Sequence, residues 1–480
     1  MTPGAHSGQR GAFAVLYAIV LPVMLGMIGL AVDLAIMFAR GHELQAMADG
    51  AALAAARALN GTAAGLAAAK DNARTSARKA EFRFLNAETF DWSSSALSFS
   101  HSADGPWFAA DAVVASDLPT LTYAQVDTSG LDAMYGRVAV AFLRVIGVDG
   151  EQNLVRRAVA GRKDSSLSPL AICALNNTEL TVRTNAPHSG MDEALEFGFR
   201  RGVGYNLLNL NPNGTSAKNF ILNPVDFGPA PSLASHMSDA VARPFVCTGA
   251  VPAPVLAVGS TVYIREPFPV SLLVELNSRF GNYGSGSVCN KYSAPPDSNQ
   301  IDFRGGYSGF WMTGAVTPMR GSAMPLITGG RLATVADATP MPAGTVAANY
   351  GPLWAFSKPL RYDSATGTMG APFTRTDWSK LYQVGSAPLV ASSYNQTLSP
   401  YDRGLSPHWV SSAPLAGIDK RRVLNVPLLE CPVAGSSAHV LGIGRFLMTS
   451  PATQSPAAIH AEFGGLTTYG SLTASAVLIK

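Results

Sequence analysis

Residues 13–32 read FAVLYAIVLPVMLGMIGLAV, from Phe13 to Val32, and none of these twenty side chains carries a charge. An α-helix rises ~1.5 Å per residue, so this run spans about 30 Å, the thickness of the hydrocarbon core of a bilayer. Helices buried in soluble proteins are seldom apolar on every side for that length. The run therefore predicts a transmembrane helix, in which Pro22 is tolerated.

A cleavable export signal is the alternative interpretation, because only a short leader carrying Arg10 precedes the run. The apolar core of a signal peptide is about 7–15 residues long and ends at a small-residue cleavage site. Here the core is longer and continues in helical register past Asp33, which favours an uncleaved membrane segment over residues 13–40. Residues 1–12 are then a cytoplasmic leader, although Arg10 and Arg40 flank the span and their charges scarcely set its orientation.

The apolar run passes directly into an alanine-rich segment, GHELQAMADGAALAAARALN, over residues 41–60. Alanine is the best helix former, so one long rod ending near Asn60-Gly61 is predicted. Asp33, at the distal end of the span, either reaches headgroup water or binds the cation of a partner subunit. Small or apolar side chains form a narrow stripe, which packs on a partner or on the chain's own domain, at Leu44, Met47, Ala51, Ala54 and Ala58.

A second helix is predicted over about residues 62–85, and with the first it forms a stalk over residues 41–85. Its basic face, which includes Lys70, Arg74 and Arg78, either is solvated or contacts anionic headgroups or cell-wall polymer. Residues 86–163 then predict a small α+β connector. Its expected elements are strands over residues 95–100, 111–116, 120–126 and 153–162 and a helix over residues 134–147.

Residues 164–480 contain many short apolar runs separated by Gly, Pro, Asn and Ser, such as NFILNP, LAVGSTVYI and RRVLNVPLL. This pattern is typical of a mainly β domain with long loops. The best helix candidate is SLLVELNSRF at residues 271–280, and the Gly- and Pro-rich region 304–350 is predicted to be surface loop. The fold class is therefore α+β: a transmembrane helix continuing into an Ala-rich helical stalk, a small α+β connector, and a mainly β C-terminal domain.

Four cysteines follow the membrane segment, and none lies in a C-x-x-C pair or near histidines at zinc-finger spacing. An even number in a domain outside the cytoplasm favours two disulfides, with buried free thiols as the alternative. Three pairings are open. We prefer Cys247–Cys289 as a local loop and Cys173–Cys431 as a link between the ends of one domain.

The N-terminal residues resemble a known family segment. The resemblance rests on Arg10-Gly11 before the span, Pro22 within it, Ala31-Val32-Asp33 at its exit, and Leu44-Gln45 followed by the Ala-rich residues 48–53. About fifty residues in all are similar to the start of the TadE/TadG-like family of Flp (Tad) pilus assembly proteins. The resemblance implies a bacterial inner-membrane component of the machine that assembles adhesive pili, with an anchoring N-terminal segment and a periplasmic C-terminal part.

Two features depart from what this family often carries. A von Willebrand A metal site needs Asp-x-Ser-x-Ser after a buried strand, and Asp91-Trp-Ser93-Ser-Ser95 has those letters. The preceding LNAETF is not an aliphatic strand, however, so no such metal site is expected. Pilin-like members are processed before a stretch with Glu at its fifth position. Counting from Ala12 that position is Leu16, so pilin-style cleavage is not predicted.

No motif for catalysis or cofactor binding is complete. The sequence has no P-loop and no H-E-x-x-H, and the elbow-like segment 306–310 is one glycine short. His460-Ala-Glu462 lacks the P-C-x-x-C of a deaminase, and Cys431 near His439 fits a disulfide better than a nucleophile. With a net charge of +3 and no basic tract, nucleic acid is not expected either. We predict no enzyme activity, no cofactor and no small-molecule substrate.

The sequence thus predicts a non-catalytic, single-pass protein of the bacterial inner membrane, with its C-terminal bulk in the periplasm. Membrane lipid and other pilus-assembly subunits are the expected partners. The residues expected to bind those subunits are the stripe of Leu44, Met47, Ala51 and Ala54. The alternatives are a membrane-anchored extracytoplasmic binding protein or adhesin of unknown ligand, and an envelope hydrolase with a diverged site.

Overall fold

The structure, a computed structural model, describes part of the 480-residue chain. The described residues are 10–59, 63–79, 91–114, 117–118, 121–147, 150–163, 166–185, 192–225, 236–251, 259–285, 287–303, 320–382, 398–403, 409, 417–467 and 475–479. The chain divides into two compact units. Residues 1–163 and 475–480 form the helix-sheet unit, and residues 164–474 form the β unit. The last strand of the chain therefore belongs to the helix-sheet unit rather than to the predicted C-terminal domain.

Two helices carry much of the core of the helix-sheet unit. α1 is continuous from Arg10 to Ala58, as predicted, and Pro22 does not end it. α2 (Ala63–Arg78) packs alongside the second half of α1. Alanines dominate the region where they meet, which lets the two backbones approach closely. The fully buried alanines are Ala48, Ala51, Ala52, Ala55 and Ala56 of α1 and Ala69, Ala73 and Ala77 of α2.

An antiparallel five-stranded sheet completes this unit, in the order β2-β1-β3-β6-β22. Its strands are β1 (Leu97–Ser100), β2 (Phe108–Ala109), β3 (Tyr123–Asp127), β6 (Arg157–Lys163) and β22 (Ser475–Leu478). The second half of α1 packs on β3, β6 and β22. Phe99 and Val126 are buried in the same cluster as Leu44 of α1, so the predicted stalk and connector share one core.

Two predictions for the connector are wrong. Residues 111–114 are not a strand, and the nearby strand is β2 instead. Residues 134–147 are not an α-helix: β4 (Arg137–Ala139) pairs with β5 (Glu151–Asn153), and a 3₁₀ turn, Leu143–Ile146, lies between them. Buried Val138 and Val140 alternate with exposed neighbours, which is the period of a strand, and pairing with β5 satisfies the backbone of that strand.

The largest sheet of the β unit has seven strands, in the order β10-β21-β18-β12-β11-β7-β17. β17 pairs with β7 and also with β18, so five of the strands close into a ring. The strands are β7 (Leu170–Cys173), β10 (Gly204–Asn206), β11 (Asn219–Leu222), β12 (Thr261–Arg265), β17 (Val423–Leu429), β18 (Ser437–Met448) and β21 (His460–Leu466). The predicted mainly β domain is confirmed.

Smaller sheets and helices surround this ring. A four-stranded sheet has the order β16-β15-β9-β8, and β13–β14 and β19–β20 are hairpins. The strands are β8 (Leu180–Thr184), β9 (Asp192–Glu196), β13 (Pro325–Thr328), β14 (Arg331–Thr334), β15 (Leu360–Asp363), β16 (Thr368–Pro372), β19 (Thr453–Gln454) and β20 (Ala457–Ala458). The helices are α3 (Asp239–Thr248), α4 (Leu273–Leu276) and α5 (Trp378–Tyr382).

The predicted helix at residues 271–280 is present as α4 with a 3₁₀ turn on each side. α3 was not predicted from the sequence, because it contains Pro244, which usually interrupts a helix. The prediction of surface loop over 304–350 is wrong for its second part. There β13 and β14 form a hairpin and Val335 and Tyr350 are buried, while residues 304–319 lie outside the described residues.

Candidate functional site

The first half of α1 presents its apolar side chains outward. Every residue from Phe13 to Ile28 is exposed, and Leu21, in the middle, is 56% exposed. Large contiguous apolar surfaces are rare on soluble monomers and indicate contact with a membrane or a partner. By length and hydropathy, α1 is suited to crossing a membrane.

At Gly29 the chain's own Phe142 covers one side of the helix, although Val32, Leu34 and Phe38 further along are again exposed. Gly29 is buried, and a side chain there would collide with the Phe142 ring, so glycine is required for this close approach. Phe142 belongs to a segment that we call loop 140–147, Val140–Gly147, which follows β4 and contains the 3₁₀ turn. The ring itself is 45% exposed.

Asp33, one turn further along α1, binds the same loop. Its carboxylate accepts hydrogen bonds from the backbone N–H groups of Ala141 (3.3 Å), Phe142 (2.7 Å) and Leu143 (2.7 Å). The residue is buried, with only 2% of its surface exposed. The Asp33 carboxylate is therefore bound by the chain's own backbone, whereas the sequence predicted contact with headgroup water or with a partner's cation.

The predicted partner stripe lies further along α1. Leu44, Met47 and Ala51 are buried in the core of the helix-sheet unit, and Ala54 is half-buried. For the first three, the alternative in which the stripe packs on the chain's own domain describes the structure. Contact of the stalk with other subunits stays a prediction, and of the four predicted residues only Ala54 is partly exposed.

The basic face of α2 is partly neutralised within the chain. The Lys70 Nζ lies 3.0 Å from an oxygen of Asp111, and Arg74 pairs with Asp71. Both pairs are largely exposed, so each contributes little to stability. They leave less positive charge on this face than the sequence pattern indicates, and Arg83 lies outside the described residues.

The four cysteines lie in the β unit as two pairs at disulfide distance. The Cα atoms are 5.7 Å apart for Cys173 and Cys431 and 6.2 Å apart for Cys247 and Cys289. This is the pairing preferred from the sequence. In the first pair, Cys173 is the last residue of β7 and Cys431 lies two residues after the end of β17, so the pair links two neighbouring strands of the ring.

One group of possible metal ligands lies at the second pair. The sulfurs of Cys247 and Cys289 and a carboxylate oxygen of Glu275 all lie within 4.8 Å of one another. The two sulfurs are bonded to each other, and the Glu275 oxygens accept from Arg243 (2.8 Å) and from Ser287. The donors of this group are thus engaged by the chain itself.

The β unit has a cationic cavity of about 430 Å³. The basic side chains that line it are Arg279, Lys420, Arg421 and Arg445, together with one carboxylate, Asp419. Arg279 and Arg421 both donate to the carbonyl oxygen of Cys247, at 3.3 and 3.1 Å. Burial, and then the charge of Arg421, holds the pKa of Arg279 well below its ordinary value. The ionisable side chains that line the cavity thus carry a net positive charge.

A second cavity, of about 220 Å³, is lined by three arginines and one carboxylate: Arg183, Arg200, Arg331 and Asp337. Arg200 is buried and forms an ion pair with buried Glu193, with Nη2 2.7 Å from a carboxylate oxygen. The Nε of Arg200 donates to the same carboxylate at 2.9 and 3.0 Å. The positive charge of Arg200 is balanced by Glu193 inside the protein, so this ion pair has a structural role. The second cavity therefore carries less positive charge than the first.

His460 and Glu462 lie in β21, where the sequence shows an incomplete deaminase motif. Glu462 is buried, and its carboxylate accepts hydrogen bonds from the backbone N–H groups of Ala355 (2.6 Å), Phe356 (2.8 Å) and Ser357 (2.9 Å). Burial raises the pKa of this carboxyl to about 8, although the three donors act against that rise. Backbone encloses the group, so its geometry suits a structural role.

The contact between Gly29 and Phe142 and the bonds of Asp33 are the features that sequence reasoning missed. Their signals were a glycine and a carboxylate one turn apart at the end of an apolar run. Neither signal identifies the partner segment, which is more than 100 positions away along the chain.

Comparison with known proteins finds a similar family for the N-terminal helix α1 only. No curated protein and no solved structure shows significant similarity to the chain. One family model, described as "Putative Flp pilus-assembly TadE/G-like", matches residues 11–58. The match ends where α1 ends and covers nearly all of that helix. Residues 11–58 are thus similar to the TadE/G-like Flp pilus-assembly family, which confirms the resemblance seen in the sequence.

Proposed function

We propose that this protein is a non-catalytic, inner-membrane-anchored component of Flp (Tad) pilus assembly, or of the envelope complex around it, and that it exposes the β unit to the periplasm. The observation that carries the proposal is α1 itself. One unbroken helix, matched by the family model along nearly its whole length, joins the exposed apolar half to the half that is buried in the helix-sheet unit.

This continuity has a physical consequence for anchoring. The exposed half has a favourable environment in lipid, where transfer of apolar surface is worth roughly 25 cal/mol per Å². The buried half is held by a sheet and a second helix, so the membrane segment cannot separate from the folded domain without breaking its core. Two cysteine pairs at disulfide distance support a location in an oxidising compartment.

Topology mapping tests the location. A reporter that is active only in the periplasm, fused after Lys480, is expected to be active, and the same reporter fused before Arg10 inactive. The full-length chain is expected in the membrane fraction of broken cells. Recovery of intact protein from the aqueous fraction without detergent contradicts the proposal.

Variants of the span add a matched pair. An arginine at the centre of a membrane helix costs ~2.5–3.5 kcal/mol on insertion scales. Leu21→Arg should therefore shift protein out of the membrane fraction, whereas Leu21→Phe should not. Equal retention of both variants speaks against a span centred on Leu21.

The role in pilus assembly needs a separate test, because location alone does not show it. A tagged full-length chain, solubilised in mild detergent from its native cells, is expected to co-purify with pilus-assembly subunits. Absence of every such subunit from the purified complex, with the protein still in the membrane, would refute this part of the proposal.

The second candidate function is an extracytoplasmic binding protein. It is favoured by the cationic cavity, whose lining contains four basic side chains and one carboxylate. Titration of the full-length protein with small carboxylate and phosphate anions, compared with the Arg445→Gln variant, tests it. Saturable binding that the variant loses favours this second function.

A further inference from the structure

We infer that loop 140–147 lies in the interfacial layer of the bilayer, with the Phe142 ring at the boundary between headgroups and acyl chains. The inference rests on the proposed membrane anchoring of α1 and adds a second element of the chain to the contact with lipid.

The depth of the loop follows from its contact with α1. The uncharged run ends at Val32, and Phe142 packs on Gly29, three residues earlier. At ~1.5 Å per residue, the ring contacts the helix about 4.5 Å inside the end of the run. If residues 13–32 fill the hydrocarbon layer, the ring therefore lies at its edge. Aromatic side chains are enriched at this level of membrane proteins.

The hydrogen bonds of Asp33 fit the same depth. Backbone N–H groups that leave water are unfavourable unless they find a partner, and a carboxylate near the end of a span has the same requirement. Asp33 accepts from three consecutive N–H groups of the loop. The carboxylate and the three N–H groups satisfy each other's hydrogen-bonding requirement, so Asp33 and the loop can enter the interface together.

Lipid is the occupant that best fits the exposed ring. Phe142 is 45% exposed and directly adjoins the band of exposed apolar residues that begins at Phe13. The band continues past the ring, since Val32, Leu34 and Phe38 are also exposed, so whatever covers this part of α1 also covers the ring. For a single helix that crosses a membrane, this cover is lipid, and a partner's helix is the other possible outcome of the test below.

Other parts of the helix-sheet unit lie well away from this level. Gly50 of α1 contacts Ser76 of α2, about 32 Å beyond Gly29 along the helix. Asp111 binds Lys70 of α2, and Val114, three residues further, is 56% exposed. Val114 is therefore a matched exposed apolar position in the same unit, remote from the predicted interface.

The test uses the full-length protein in lipid vesicles, with an environment-sensitive fluorophore on one introduced cysteine. The positions are Ala141→Cys beside the ring, Leu21→Cys in the middle of the span, and Val114→Cys as the remote control. Quenchers are placed on the lipids, either near the headgroup or deep in the acyl chain. Phe142→Cys is labelled as well, in case the label at 141 points away from the lipid.

The loop label at 141 or 142 is expected to be quenched at least twofold more by the shallow quencher than the label at 114, and less by the deep quencher than the label at 21. If the label at 21 is not quenched, the membrane proposal itself fails. If 21 is quenched by the deep quencher but 141 and 142 match 114, only the loop inference is overturned. The same applies if quenching at 141 and 142 appears only after a protein partner is removed.

A positioning variant separates depth from mere proximity. Asp33→Ala removes the acceptor of three N–H groups, so the label at 141 should lose its shallow quenching while the label at 21 keeps its deep quenching. Asp49→Ala is the control, since Asp49 accepts from Gln45 within α1. Unchanged quenching in Asp33→Ala would overturn the role of Asp33 in holding the loop.

Discussion

The alanine contact between α1 and α2 gives a sharp prediction, because two neighbouring alanines differ in burial. Ala51 is fully buried, whereas Ala54 is half-buried. Leucine adds three carbon atoms at either position. Extra methylenes in a packed core cost typically ~1–3 kcal/mol, and helices that meet through alanines leave little room to relax. We therefore expect Ala51→Leu to destabilise the helix-sheet unit by about 2 kcal/mol and Ala54→Leu by less than about 0.5 kcal/mol.

Hydrogen exchange of the full-length protein in detergent, read by mass spectrometry, measures this locally. Each ~1.4 kcal/mol is a tenfold change in an opening equilibrium. Amides of α2 and β1 should exchange about 30-fold faster in Ala51→Leu and no more than about twofold faster in Ala54→Leu. Amides of β17, in the other unit, are the internal reference and should not change.

Two results would refute the reasoning. One is an Ala51→Leu protein whose α2 amides are as protected as in the wild type. The other is equal loss of protection in both variants, which would mean that burial at residue 54 is greater than the structure shows. The pair also bears on partner binding: loss of a subunit in Ala51→Leu alone would report damage to the chain's own core, not to a contact surface.

Three further predictions concern the β unit. Burial raises the Glu462 pKa from 4.5 to about 8, so between these pH values the folded state binds more protons than the unfolded state. The free energy of unfolding therefore falls as pH rises, by at most ~1.4 kcal/mol per pH unit. Denaturant titrations at pH 5 and 8 should show this decrease in the wild type and a smaller one in Glu462→Gln. The Cys173–Cys431 pair is separated by 258 positions and the Cys247–Cys289 pair by only 42. In the chain-entropy model the first disulfide therefore adds about 1.6 kcal/mol more to the free energy of unfolding. The double variant Cys173→Ser with Cys431→Ser should lower the Tm further than Cys247→Ser with Cys289→Ser. Glu193→Gln leaves Arg200 buried without its carboxylate and should cost ~3–5 kcal/mol in denaturant titrations, whereas Glu266→Gln, in an exposed pair with Lys218, should cost under ~1 kcal/mol; equal costs contradict the difference in burial.

Elements with a strong local signal were predictable from the sequence. The uncharged run and the alanines after it have no competing pattern, and α1 forms as expected, with the family match along the same residues. Strands such as β3, β6 and β17 follow from their alternating or apolar runs. Here propensity and burial favour the same structure.

The errors arose where distant parts of the chain decide the local structure. Residues 134–147 contain good helix formers, yet pairing of β4 with β5 and capture of the loop by Asp33 override that preference. The stripe on α1 has the small residues that any close helix partner needs. Periodicity cannot tell whether that partner is α2 or another protein, and three of the four predicted residues are buried in the unit's own core.

The register of the last strand has a mechanical consequence. Ser475 of β22 lies opposite Lys163 of β6, so residues 164–474 occupy the place of a hairpin turn. A force applied to those residues reaches the sheet at the adjacent ends of β6 and β22, so these two strands share the tension. β6 then transmits load to β3 through a ladder of five residue pairs, which must slide together instead of opening one by one.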